Sequence, residues 1–323
     1  LLNSIHCWVL LMISILPFIS THAVQVPEGT QLAKEQNLVR GLGAEVASLD
    51  PHKIEGKTAA TVVEDLLEGL TTEDENGNLI PLIAKRWTTK DNKTFVFYLR
   101  EDAKWSNGDR VTAHDFVYSW RRLADPNTAS PYAWYLEMTT MHNAAEIIKG
   151  DKKPETLGVK ALNDFTLEVK LNDSLPYFPK MMVHGPVKPV HKGTIEKFGS
   201  KWTRAENHIG NGAFSLKKWT VNERIVLEKN PNYMDADQVI IEKVTYLPIE
   251  NQIAEMNRFL SGEIDLTSDV PNEHFKRLAK NYNDALKTIK LQAYLLIIIR
   301  FKFLINELSI IFRNSFTSFF VHI

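Results

Sequence analysis

A phosphate-binding loop needs consecutive backbone N–H groups freed by glycine, and "GNGAF" (210–214) is the nearest candidate in the sequence. It lacks the third glycine of a dinucleotide loop and the Lys-Ser/Thr of a nucleotide loop, so a structural turn is the better reading. Histidines at i and i+4 on a helix would make a zinc pair. The chain has 10 histidines, His52, His114, His142, His184 and His191 among them, and none are so spaced. Its 39 acidic residues guarantee close pairs by number alone, and no spacing singles out two for general acid/base work. G-x-S-x-G, H-E-x-x-H and Walker patterns are missing from the sequence. The single cysteine, Cys7, excludes a disulfide framework and a Cys-based metal site. No catalytic residue, metal ligand or cofactor is therefore assigned. The sequence argues against an enzyme and for a binding protein.

The elements that would carry such a binding site alternate irregularly between strand and helix. "QNLVRGLG" opens with a short strand over 37–40, and "SLDPHKIEG" turns at Pro51. "TAATVVEDLLEGL" (58–70) reads as a helix with Val62, Val63, Leu66, Leu67 and Leu70 on one face and a stop near Gly69. "ENGN" (75–78) is a turn. "KTFVFYLR" (93–100) is a strand with apolar residues on both faces, which predicts cover on both sides. Thr112-x-x-Asp115 resembles a capping box. The helix behind it sets Phe116, Val117, Trp120 and Leu123 against Arg121 and Arg122. Further strands are predicted over 165–171, 224–230 and 244–249, and a helix from 250 that halts at Gly262. The pattern has no fixed period, so the fold class is mixed α/β rather than a solenoid.

Composition bounds the partners. Hydrophobic content of 44% with 24% charged residues is that of a globular protein long enough for two compact domains. A net charge of −1 without a basic cluster gives no pull toward nucleic acid. Residues 1–23 read as a signal peptide. Their apolar run is about a dozen residues, short for a membrane span, and Thr21-His22-Ala23 fits a cleavage site. The mature chain is then expected outside the cytoplasm, and two lobes closing by hinge motion on a small ligand are the generic solution there.

From about residue 26 to 294 the sequence resembles the bacterial periplasmic oligopeptide-binding proteins, solute-binding family 5 of the peptide ABC importers. "SLDPHKIEG" (48–56), "FYLREDAKWSNGD" (97–109), "VTAHDFVYSWRRLADPNTASPYA" (111–133), "NGAFSLKKWTVNERIVLEKNPNY" (211–233) and "SGEIDLTS" (261–268) carry the likeness. Arg110 departs from it, since proline is usual there. The resemblance implies a two-lobed periplasmic receptor that engulfs an extended peptide, pairing with its backbone and leaving roomy, hydrated pockets for its side chains. It implies a first lobe from 24–67 plus 192–294, an inserted second domain at 68–191, and an opposing lobe that would begin near 294. The implied partners are short peptides and the inner-membrane ABC permease, with the receptor acting as a periplasmic monomer. Glu55, Lys57 and Tyr132 match peptide-contacting positions, although Lys57 stands where an apolar residue is usual. Plainer readings are a solvated loop acid for Glu55, a surface lysine for Lys57 and a core tyrosine for Tyr132.

Two other functions stay open at this stage. The same fold could serve another ligand, such as haem, nickel or murein peptide, because family does not fix ligand. A membrane-anchored surface protein would use residues 295–323, but Arg300, Lys302, Glu307 and Arg313 leave no run near the ~20 residues of a span. The Ile/Phe/Asn/Lys bias of that tail is what AT-rich DNA yields out of frame, so it reads as non-family sequence replacing the opposing lobe, and peptide capture by this truncated chain is expected to be impaired.

Overall fold

The computed structural model describes residues 32–74 and 76–281, and the backbone of two later strands. The elements in chain order begin with β1 (Asn37–Gly43), α1 (Gly56–Leu66), β2 (Thr71–Glu73), β3 (Leu79–Pro81), β4 (Ala84–Thr89) and β5 (Thr94–Leu99). Next come α2 (Ala113–Ala124), α3 (Ala133–Met138), α4 (Ala144–Ile148), β6 (Val159–Asn163), β7 (Thr166–Lys170), α5 (Phe178–Met181) and α6 (Lys192–Phe198). The last group is β8 (Phe214–Thr220), β9 (Arg224–Lys229), β10 (Lys243–Pro248), α7 (Gln252–Ser261), α8 (Phe275–Asn281), β11 (Leu286–Ile289) and β12 (Leu295–Ile298). The signal-peptide reading of residues 1–23 lies outside the described residues, as does the 295–323 tail beyond β12.

Two four-stranded sheets organise the chain. One has the order β1-β10-β9-β8, with β1 parallel to β10 and the other neighbours antiparallel. The other, β4-β5-β7-β6, is antiparallel throughout. β5 aims Phe95, Phe97 and Leu99 inward, where Phe95 and Phe97 meet Phe178 of α5 at ring distances of 5.1 and 6.2 Å. Its opposite face is only half covered, contrary to the two-sided cover expected from sequence: the Arg86 guanidinium lies 3.5 Å above the Tyr98 ring, an exposed cation–π cap on an apolar residue.

Local signals in α2 and α7 materialise as chemistry predicts. Asp115 Oδ2 accepts from the Thr112 N–H at 2.7 Å and from its hydroxyl at 3.0 Å, closing the first turn of α2. Phe116, Val117, Trp120 and Leu123 are buried. Asn251 caps α7, and Gly262, at φ 80°, ends it in the left-handed conformation.

Helix α1 ends at Leu66, short of the Gly69 stop expected from its spacing. Leu67 and Leu70 are buried as expected, but both lie beyond the helix, with Leu67 in extended backbone. Tertiary partners claim that backbone instead. The Lys188 ammonium donates to Leu67 O at 2.6 Å, Asn211 bonds both N–H and C=O of Glu68, and Ala84 N donates to Leu70 O at 2.9 Å. "GNGAF" is the structural turn that makes this possible. Gly212 N donates to Leu66 O at 2.9 Å, and a Cβ at Gly212 would meet Asp65 O at 2.5 Å. Glycine is required by close approach of two backbones.

Candidate functional site

The "DPHK" segment delivers the chain to the N-terminal end of α1. Asp50 Oδ1 accepts from the His52 N–H and Asp50 O from the Lys53 N–H, a tight turn that places Ile54 in the core and Glu55 in solvent. Glu55 is the N-cap residue by position, in extended conformation, and its side chain makes no cap bond. The carboxylate therefore stays available beside the positive end of the helix dipole.

Lys57 sits one residue into the helix, and its side chain is not simply a surface lysine. The ammonium donates to Asp269 Oδ1 at 2.9 Å and to Ser268 O at 3.1 Å. Side-chain exposures of 29% and 37% leave the pair reachable from solvent. The partner segment is held against β1. Arg40 and Leu266 form a parallel bridge, Gly41 N donates to Leu266 O, and Asp265 N donates to Val39 O. Below it, Glu255 accepts from Ser268 N and Oγ, both at 2.9 Å, and fills the space over Gly41 where any side chain would clash. Burial pushes the Glu255 carboxyl up against those two bonds.

Tyr132 starts the short helix α3. It is half-buried, with its ring 5.4 Å from His184 and 6.2 Å from Trp134. His184 also packs on Tyr135 at 4.5 Å, while the Tyr135 hydroxyl donates to Met181 O at 3.0 Å. Burial, with Lys188 adding to it, lowers His184 to about 4, so the ring is neutral at physiological pH.

The arrangement combines an exposed carboxylate (Glu55), a half-exposed ion pair (Lys57–Asp269) and an aromatic shelf (Tyr132 with Trp134, which is 40% exposed). Such charged groups and aromatic surface suit a ligand that carries both polar and apolar parts. Asp269, Ser268 and His184 have no local motif that marks them, since each meets its partner at the site, Lys57 or Tyr132, across more than 50 residues of sequence. Among the described residues, no helix is long and apolar enough to cross a membrane.

Comparison with known proteins places the chain in a lineage. Over 259 residues the chain is 55% identical to the periplasmic oligopeptide-binding protein OppA of Salmonella typhimurium, covering 80% of this chain and 48% of the relative. It is 42% identical over 278 residues to the periplasmic murein peptide-binding protein MppA of Escherichia coli, covering 86% and 51%. Haemophilus influenzae OppA in complex with the peptide RPPGFSPFR superposes with a TM-score of 0.77 at 44% identity, over 79% of this chain and 50% of that one. The unliganded open form of MppA gives a TM-score of 0.79 at 42% identity, over 81% and 51%. The chain thus spans about half the length of the curated relatives it matches, and its mixed α/β fold is that of the periplasmic binding proteins. The model for bacterial extracellular solute-binding proteins, family 5 (Middle), matches residues 78–307, past the boundary at 294 expected from the sequence. The chain belongs to the bacterial extracellular solute-binding proteins of family 5.

Proposed function

We propose that this chain is the receptor part of a peptide ABC importer, capturing short peptides in the periplasm for delivery to the membrane permease. The observation that carries the reading is the likeness to a peptide-bound relative over 79% of this chain. In this reading the peptide lies along the start of α1, Glu55 meets its cationic groups, the Lys57–Asp269 pair borders its backbone, and Tyr132 supports a side chain. The first lobe comprises 24–67 plus 192–294 and the inserted domain 68–191, a division supported by the membership of the two sheets. The receptor works as a monomer, without catalysis and without nucleic acid.

Hydrogen exchange of the 323-residue chain with excess tri- to pentapeptides tests this. Protection at 53–58 and 130–136 is the expected result; peptides that bind without protecting either stretch refute the site. The likeness to MppA supports a second reading in which the ligand is a murein peptide. Native mass spectrometry separates them: a ladder of mixed peptides supports the first reading, and retention of murein tripeptide alone supports the second.

A further inference from the structure

The Asp50 turn that positions Glu55 and Lys57 is itself held by two distant segments, α2 and 199–208. The Asp50 carboxylate takes two bonds from Arg122 of α2, at 3.0 and 2.6 Å, and lies 3.4 Å from Trp202 Nε1. His52, with no exposed surface, receives the Arg122 Nη1 group on Nδ1 at 2.5 Å. Arginine cannot accept, so Nδ1 must be the bare nitrogen and the proton sits on Nε2, which has no partner. On the other side of Trp202, His208 stacks on the indole at 5.7 Å with an interplanar angle of 16°. Both of its ring nitrogens are buried without a partner.

We propose that this cluster is an acid-sensitive clasp: protonation of His52 and His208 separates the 48–54 loop from α2 and from 199–208, freeing the entry to α1 while both sheets stay folded. A proton on His52 Nδ1 would set N–H against N–H of Arg122, two cations in contact. A proton on His208 would create a buried cation whose N–H groups have no acceptor. Either charge is relieved only when the ring reaches water. The groups that face His52 are Asp50 on its own segment and Arg122 on α2, with burial the larger influence, and the ring is held down to about 3. Tyr118 of α2, pushed up mainly by burial, also senses Arg122, Asp50 and Glu196 of α6. Burial alone lowers His208, to about 4. The clasp stands whether or not the freed segment contacts a peptide.

Because the opened state titrates near the ordinary histidine range, each ring raises the opening constant about tenfold per pH unit below about 6.5, roughly 100-fold for both. Hydrogen exchange mass spectrometry of the full chain, corrected for intrinsic rates, reads this directly. Residues 48–56, 116–122 and 200–208 should accelerate together between pH 6.5 and 4.5 while β5 and β9 stay protected. His52→Asn retains an acceptor for Arg122 and His208→Phe retains the stack; each removes one titrating ring and should reduce the slope to about tenfold per unit. Either variant suffices if the other fails to fold. Acceleration of β5 and β9 in step with 48–56, or an unchanged slope in the folded variant, overturns the clasp.

Discussion

Substituting Gly212 by alanine tests whether the junction between α1 and the extended segment that follows it rests on backbone contact. The added Cβ would lie 2.5 Å from Asp65 O, 2.6 Å from Leu66 C and 2.8 Å from Leu67 N. All three are backbone atoms, so no side chain can swing aside. Relief requires the 210–213 turn to withdraw from the end of α1. Overpacking of this kind costs about 1–3 kcal/mol. Withdrawal also strains the Gly212 N to Leu66 O bond and the two Asn211 bonds to Glu68, each worth about 1 kcal/mol. A total of about 4–6 kcal/mol is expected if all three bonds are lost. Gly108→Ala is the matched control. Its φ is +93° and nothing lies within 4 Å, so only the left-handed backbone penalty of about 1–2 kcal/mol applies. Urea unfolding followed by far-UV circular dichroism should show a lower midpoint for Gly212→Ala than for Gly108→Ala, at equal m-value. Equal midpoints would refute the close-approach argument.

Three further outcomes follow from the same structure. Asp50→Leu strands Arg122 and should cost about 3 kcal/mol, while the double variant with Arg122→Met should recover most of it; additive losses in a double-mutant cycle would deny the buried pair. Glu68 is held up at about 7, chiefly by burial and against the pull of Lys188, so its folded form keeps a proton that the unfolded chain releases above the ordinary range. The wild type therefore loses stability as pH rises from about 4.5 to 7, and Glu68→Gln, which keeps the acceptor for Tyr233, should gain on it across that window by roughly 2–3 kcal/mol and then level off. A constant difference between pH 4.5 and 8 in chemical denaturation would contradict this. Asn251→Ala removes the acceptor for the N–H groups of Ile253 and Ala254 and should cost about 1 kcal/mol by the same assay, with no loss meaning that water replaces the cap.

Sequence legibility divides by the range of the causative contact. Thr112 and Asp115 close a box within one turn, and Gly262 ends α7 by its own φ, so both were readable from a few residues. The extent of α1 was not. Leu67 and Leu70 continue the apolar spacing, and the claims of Lys188 on Leu67, Asn211 on Glu68 and Ala84 on Leu70 take the backbone that a longer helix would use. Arg122 reads as the polar face of α2, yet its guanidinium belongs to Asp50, 72 residues earlier. At the site, Glu55, Lys57 and Tyr132 came from resemblance. The Asp269 partner of Lys57 lies 212 residues away and could come only from the folded chain. The outer face of β5 looked covered because tyrosine and valine suit a core, and the arginine that half-covers it is a neighbour across the sheet.

The strand order also sets a schedule. β4 with β5 and β6 with β7 are hairpin neighbours, so the second sheet can form from contacts close in sequence. β1 has no such option. Its ladder partner, β10, begins with Lys243 opposite Asn37, and until that residue leaves the ribosome the first strand has an unpaired edge. For most of synthesis, then, "NLVRGLG" is a sticky segment waiting beside an already folded neighbour, the interval in which a chaperone has the most to bind.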